Sequence, residues 1–314
     1  MDKQNICQPL ISLCIPTNGV IQWVFPVLDS IYAQNVDSDL YEVVVMDNGY
    51  NSEFKKKIRE YAKNHDNLVY CETNAYEFMS EIETYRAASG YFIKFINHRT
   101  KLREGTLQAY IDFVNKYKDT DEKPFIYYSC GVLKLKPEIV HVDTFDAFVK
   151  KLSYWSSWST GMAFWKSDFD AIPNVENANY LFPHTKILFS QRNRHDYIID
   201  DRDLLDEIPV GGIPKGRYNL FDAFAVEYPA LLLELERSGD ISKETFLYVK
   251  KQNFNFVASL YFVYILLKRP CSYDLSDFKN SLNCYYSMGK VHCAMIPMFM
   301  QGFGRKIKRL VGRN

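Results

Sequence analysis

The first hundred residues alternate short apolar, β-branched runs with helix-periodic segments, and each run stops at turn residues. Residues 10–15 form one such run and end at Pro16-Thr17-Asn18-Gly19, a buried strand followed by a loop. Val24, Val27, Leu28 and Ile31 then recur at helical spacing across residues 20–34, with Pro26 expected in the first turn of the helix proper. Residues 41–46 read as a second strand closed by Asp47-Asn48-Gly49, residues 52–64 as a charged amphipathic helix, and 68–71 as a third strand. Residues 77–90 are expected to be helical and 91–96 to be a fourth strand. This order predicts an α/β fold, a mostly parallel sheet with right-handed crossovers flanked by helices. In such sheets ligands bind beyond the carboxyl ends of the strands. The loops there are residues 16–19, 47–49, 73–74 and 97–99, with Asn74 in the third. Asn, Asp and Gly also make ordinary turns, but four coincident strand ends favour a site.

The 314 residues carry equal numbers of acidic and basic side chains, so no global field draws the chain to nucleic acid, and none is expected as a partner. Seven cysteines without a C-x-x-C pair suggest neither a disulfide framework nor a structural zinc site, and suit a reducing cytoplasm. The opening residues enter a strand-like run directly, which predicts no signal peptide. The longest uncharged stretches, residues 252–267 and 291–304, are shorter than the ~20 residues that span a bilayer.

Three segments resemble the family 2 glycosyltransferases, whose fold is called GT-A. They are Ile11-Ser12-Leu13-Cys14-Ile15-Pro16-Thr17-Asn18; Ser30-Ile31-Tyr32-Ala33-Gln34 followed by residues 41–49; and Tyr85-Arg86-Ala87-Ala88-Ser89-Gly90-Tyr91-Phe92-Ile93. The likeness covers roughly the first 110 residues and extends to bacterial capsule and O-antigen enzymes. It implies a nucleotide diphosphate sugar donor, UDP-linked by expectation. Pro16, Thr17 and Asp47 would lie around base and ribose, Asn48 and Asn74 would add amide contacts, and Arg86 would belong to the donor side. A carboxylate at a strand end suits hydrogen bonds from ribose hydroxyls.

The family's fourth strand usually ends in aspartates that hold a divalent cation. Here the segment reads Ile96-Asn97-His98-Arg99-Thr100, with no carboxylate between Glu83 and Glu104. Mg²⁺ and Mn²⁺ prefer hard, charged oxygen ligands. Three readings stay open. Arg99, with Lys101 or Arg103, neutralises the diphosphate directly; or His98 with Asn97 holds a metal aided by an acid from elsewhere; or the chain binds without catalysing. The working expectation is an active transferase that requires no cofactor.

Residues 153–165 pack three of the four tryptophans, and residues 159–168 resemble the family's small-residue strand beside donor sugar and acceptor. Trp155 and Trp158 are candidates for an acceptor platform, with core packing the alternative. The resemblance places a general base 15 to 25 residues further on, where no acid occurs and His184 stands. Histidine suits the role because its ordinary pKa of ~6.5 lies near working pH, with a structural cap or a satisfied core residue the alternative. The run Asp200-Asp201-Arg202-Asp203 is the competing source of a base, although its charge density reads as a solvated loop. Residues 211–218 form a loop of the kind that folds over the donor in this family, offering Lys215 and Arg217 to phosphate.

From residue 221 the pattern turns helical, which divides the chain into a nucleotide-sugar domain over 1–220 and a helical region over 221–314. Residues 290–314 hold six Lys or Arg and no acid, behind Met295, Ile296, Met298, Phe299, Met300 and Phe303. That pattern suits an interfacial amphipathic helix, which would place the protein at the inner face of the cytoplasmic membrane near a lipid-linked glycan acceptor. The alternatives are a frayed basic tail or a helix that packs on a partner, as in a structural subunit of a synthesis complex.

Overall fold

The computed structural model describes residues 8–295. The chain forms two compact units, Met1–Pro209 and Val210–Asn314, so the division falls ahead of the change in periodicity at residue 221.

The first unit is built on β1 (Ile11–Thr17), α1 (Ile21–Tyr32), β2 (Tyr41–Asp47), α2 (Ser52–Ala62), β3 (Leu68–Glu72), α3 (Ser80–Ala87) and β4 (Phe92–Phe95). β1 and β2 are apolar almost throughout because helices cover both of their faces. Ile11, Leu13, Ile15, Val43 and Val45 meet Val24, Val27 and Leu28 of α1 and Phe54 and Ile58 of α2. α3 packs across β1 and β2 on the opposite face. α2 starts where the Asn51 side chain accepts a hydrogen bond from Phe54 N at 3.2 Å. α1 starts earlier than expected. The Val20 carbonyl accepts from Trp23 N and Val24 N, so the helix runs from Ile21 and Pro26 lies inside it.

The chain continues through β5 (Thr100–Leu102), α4 (Thr106–Tyr117), β6 (Phe125–Tyr128), β7 (Ile139–Val142), α5 (Phe145–Leu152), β8 (Met162–Trp165), α6 (Lys166–Asp170), α7 (Pro183–Ser190), β9 (Tyr197–Asp200) and β10 (Leu205–Glu207). The eight-stranded sheet has the order β3-β2-β1-β4-β8-β6-β9-β7. β3, β2, β1 and β4 are parallel, β8 runs against both β4 and β6, and β9 is parallel to β6. The carboxyl ends of β1, β2, β3, β4, β6 and β9 therefore share one edge. β5 and β10 pair antiparallel and bring residues 205–207 against 100–102 beside that edge.

In the second unit α8 (Leu220–Asp222) passes through a π-helical stretch, Ala223–Glu227, into α9 (Tyr228–Ser238). α10 (Lys243–Leu260) likewise runs into a π-helical stretch, Tyr261–Leu266, and α11 (Phe278–Tyr285) follows. Phe221, Ala225, Val257, Ala258 and Leu282 form the core. Within it the buried Asn253 donates to the Phe224 carbonyl at 2.7 Å and to Tyr286 Oη at 2.8 Å, satisfying a peptide group of the π-helical stretch. Lys215 N and Gly216 N donate to Ser272 Oγ, which anchors the 211–218 loop in this unit. No helix among the described residues is long and apolar enough to cross a membrane. The basic amphipathic segment expected near the end of the chain lies, from residue 296 onward, outside the described residues.

Candidate active site

Thr17 and Asp47 are register partners at the ends of β1 and β2. The two loops beyond them pack tightly. A Cβ on Gly49 would lie 2.1 Å from the Asn18 carbonyl oxygen, so only glycine fits there. Thr17 Oγ1 accepts from Gly19 N at 3.1 Å and bonds His98 Nδ1 at 2.8 Å. The His98 ring lies 5.2 Å from the Trp23 ring, and the Arg99 guanidinium sits over the same tryptophan at 5.9 Å. Burial, then the Arg99 charge, push the His98 imidazolium down to about 4, so the ring is neutral at pH 7.

Most of the predicted donor contacts are engaged within the protein. Asp47 is 1 % exposed. One carboxylate oxygen accepts from Gly49 N at 2.7 Å and the other from Tyr70 Oη at 3.0 Å, and burial raises its pKa. The carboxylate therefore holds the loop from inside. Asn48 donates its side-chain N–H groups to the carbonyls of Ala75 and Glu77, which ties the second strand-end loop to the third. Pro16 is half-buried opposite Met46, and Asn74 is exposed. Asn97 accepts from Arg99 N at 3.0 Å and shapes its own turn. Arg86 stands exposed on α3, paired with Glu83 at 2.7 Å and Glu176 at 3.3 Å.

Arg99 is not a free clamp. Its guanidinium donates to the Ile208 carbonyl at 2.7 Å and lies 3.5 Å from Glu207, with 12 % of the side chain exposed. Arg103 pairs with Asp203 at 2.5 Å and Asp206 at 2.9 Å. The donors near residues 97–99 fit Mg²⁺ or Mn²⁺ poorly. His98 Nδ1 is engaged by Thr17, a guanidinium lies alongside, and no three His, Cys, Asp or Glu side chains gather into a metal-sized group among the described residues. The 200–203 run is not the solvated loop its charge suggests. Asp200 and Asp201 are 2 % and 3 % exposed, because β9 carries the first into the sheet and backbone N–H groups enclose the second.

Trp155 and Trp158 are half-buried neighbours, ring centroids 5.4 Å apart. Tyr127 Oη donates to both of their carbonyls at 2.6 Å and fastens the turn to β6. His184, in the first turn of α7, is 3 % exposed. Its ring meets the backbone of Ser156 and Ser157, and Glu81 lies 3.8 Å away. Burial lowers His184 to about 4 and raises Glu81 to about 8. In this conformation an acceptor hydroxyl does not reach the imidazole.

Sequence reasoning missed two sets of residues at this edge. Tyr50, 94 % exposed, follows the second strand-end loop, and Tyr76, 66 % exposed, follows the third, with its ring 5.5 Å from that of Tyr180. Only the abundance of tyrosine hinted at them. Lys94, in the middle of β4, is wholly buried and donates to the carbonyls of Phe95 at 2.9 Å and Thr160 at 2.6 Å. Its ammonium lies 5.7 Å from the Tyr110 ring and 5.4 Å from that of Tyr128, and burial lowers its pKa to about 8.

No protein-family model and no curated protein sequence matches the chain. Three-dimensional likeness is clear. S. aureus TarS 1-349 matches at a TM-score of 0.56 and 13 % identity, covering 80 % of this chain and 74 % of that one. The same TarS fragment in complex with UDP-GlcNAc matches at 0.58 and 14 % identity, covering 88 % and 80 %. The mannosyltransferase PcManGT from Pyrobaculum calidifontis, in complex with GDP-Man and Mn²⁺, matches at 0.53 and 16 % identity, covering 98 % and 88 %. The chain thus has the GT-A-like α/β fold of these glycosyltransferases.

Proposed function

We propose that the protein is a glycosyltransferase that moves a sugar from a nucleotide diphosphate donor to a glycan, with inversion at the anomeric carbon and without a divalent cation. The observation that carries this reading is the shared sheet edge, where the Thr17–His98 hydrogen bond joins the nucleotide-side loop to the loop after β4. Backbone groups of residues 17–19 and 48–49 and the exposed Tyr50 face base and ribose, with a UDP-sugar the favoured donor. Arg99, released from Glu207 as the stronger anion arrives, and Lys101 balance the diphosphate.

His184 is the proposed general base. Its access requires the Trp155–Trp158 turn, whose Ser156 and Ser157 backbone meets the imidazole, to shift outward. As the base, His184 must be neutral, and because burial holds its pKa down to about 4, turnover should rise through that pH and level off above it. We further place the protein at the cytoplasmic membrane face of a bacterium. There residues 290–314 would contact anionic lipid near a lipid-linked acceptor for capsule or O-antigen.

The shielded His184 and the absent aspartates favour one second reading, a module that binds donor without turnover. The deciding experiment is donor hydrolysis and transfer across UDP-, GDP-, CDP- and dTDP-sugars, with EDTA and with added Mn²⁺. Turnover that survives EDTA supports the proposal. Turnover only with Mn²⁺ overturns the metal-free mechanism, and binding without turnover in the presence of acceptor supports the second reading.

A further inference from the structure

Beyond the carboxyl ends of β6 and β9 lies a cavity of about 470 Å³, on the same edge as the nucleotide-side loops. Cys130, Gly131, Lys134, Lys136, Asp201 and Asp203 are among its lining residues. β8 alone separates β6 from β4 in the sheet, which puts the cavity about 10 Å from the end of β4, at ~4.8 Å per strand. A donor whose nucleotide lies over β1 and β2 and whose diphosphate lies at β4 would aim its sugar toward this side.

Among the described residues the two lysines of the cavity lack direct partners. Asp201 is held within the loop, accepting from Ser129 Oγ at 2.6 Å, Leu133 N at 3.1 Å and Leu135 N at 2.8 Å. Asp203 is paired with Arg103. Lys134 and Lys136 are exposed and have no anionic partner among the described residues. Glu138, on the rim, has no cationic partner among the described residues either. A third ammonium, Lys94, lies beneath the floor, close enough for its charge to act on the Cys130 thiol, and only carbonyls and aromatic rings surround it. Buried ammonium groups ordinarily stand beside a counter-ion. The loop is fixed in this shape by left-handed backbone at Cys130, Gly131 and Lys134, with φ of 50°, 76° and 54°, so both lysines are presented by a preformed wall.

We propose that this cavity is the acceptor seat and that it takes an anionic, polyhydroxylated acceptor, one that carries a phosphate or a uronate carboxylate between Lys134 and Lys136. This rests on the glycosyltransferase reading above. Lys94 adds a positive potential from below, while the hydroxyls meet the polar loop backbone.

The test uses the intact protein saturated with UDP and observes ligand binding by NMR. Glycerol 3-phosphate is compared with glycerol, and glucuronate with glucose, on wild type and on the Lys134→Ala/Lys136→Ala double variant. The expected result is that at least one anion binds ten or more times more tightly than its neutral counterpart. The double variant, altered only at exposed positions, should lose about tenfold in that affinity and keep its affinity for UDP. Which anion wins identifies phosphate or carboxylate as the source of charge. Equal affinity for anion and neutral polyol, an unaffected double variant, or no binding by either anion would overturn the proposal. Displacement of the anion by UDP would also overturn it, by placing the anion in the nucleotide loops. Failure of UDP itself to bind would count against the donor reading, and the lysine dependence would still decide the cavity.

Discussion

Thr17 Oγ1 and His98 Nδ1 meet at 2.8 Å, across the ends of two parallel strands whose sequences are separated by 81 positions. The contact joins the β1 loop to the loop after β4. Thr17→Val keeps the shape and removes the bond. A neutral hydrogen bond of this kind contributes about 1 kcal/mol, so UDP affinity should fall roughly five- to tenfold by calorimetry, with Thr17→Ser close to wild type. Unchanged affinity in Thr17→Val would mean that the two loops bind independently.

Acid stability follows from two imidazoles whose charging the fold opposes, the half-buried His98 and the buried His184. His98 and His184 titrate at about 4 in the folded chain and at ~6.5 when unfolded. Between these values the unfolded state binds more protons, so stability falls as pH drops from 6.5 toward 4. His184→Leu should flatten that slope in urea titrations at successive pH values. A slope as steep as that of wild type would show that His184 is protonated in the folded state.

Lys94 works in the opposite pH range. Burial lowers its pKa to about 8, against 10.5 ordinarily. The folded chain therefore holds a costly charge below pH 8 and sheds it before the unfolded chain does. Stability contributed at this site rises between pH 8 and 10.5. The melting temperature of wild type minus that of Lys94→Met should increase across this window, and a constant difference would place the proton elsewhere.

Gly161 lies flat against the ring of Tyr127, and a Cβ there would come within 2.1 Å of Cζ. Gly161→Ala must push the ring away from the Trp155 and Trp158 carbonyls. Overpacking of this kind costs about 1–3 kcal/mol, measurable in urea. Adding Tyr127→Leu should restore part of the loss. If the double variant is less stable than the sum of the single ones, the clash is not the cause.

The sheet's first half was legible because β1, β2 and β3 are short apolar runs closed by Asn, Asp, Gly or Thr, and their helices are amphipathic. The turn chemistry at Asp47 and Asn97 located the strand ends correctly, but it could not say whether a side chain faces a ligand or its own loop. That choice depends on partners far along the chain, such as Tyr70 for Asp47 and Ile208 for Arg99. Asp200 and Asp201 misled for the same reason. A carboxylate enclosed by backbone N–H groups looks, in sequence, like one facing water. The lysine of Phe92–Phe95 left no signal either, since a single cation in a four-residue strand is compatible with an edge position.

The hold of Asp201 on the Cys130–Glu138 loop is mostly through main-chain groups, the N–H of Leu133 and of Leu135, with Glu138 returning its carbonyl to Asp201 N at 2.8 Å. Peptide groups are common to nearly all residues, so the side chains at 132, 134 and 136 carry little of the burden of shaping the loop. A lineage could replace both lysines, and with them the kind of acceptor it modifies, while the wall of the cavity keeps its form. Acceptor choice would then diversify by surface substitution alone, with Asp201 as the fixed point around which it happens.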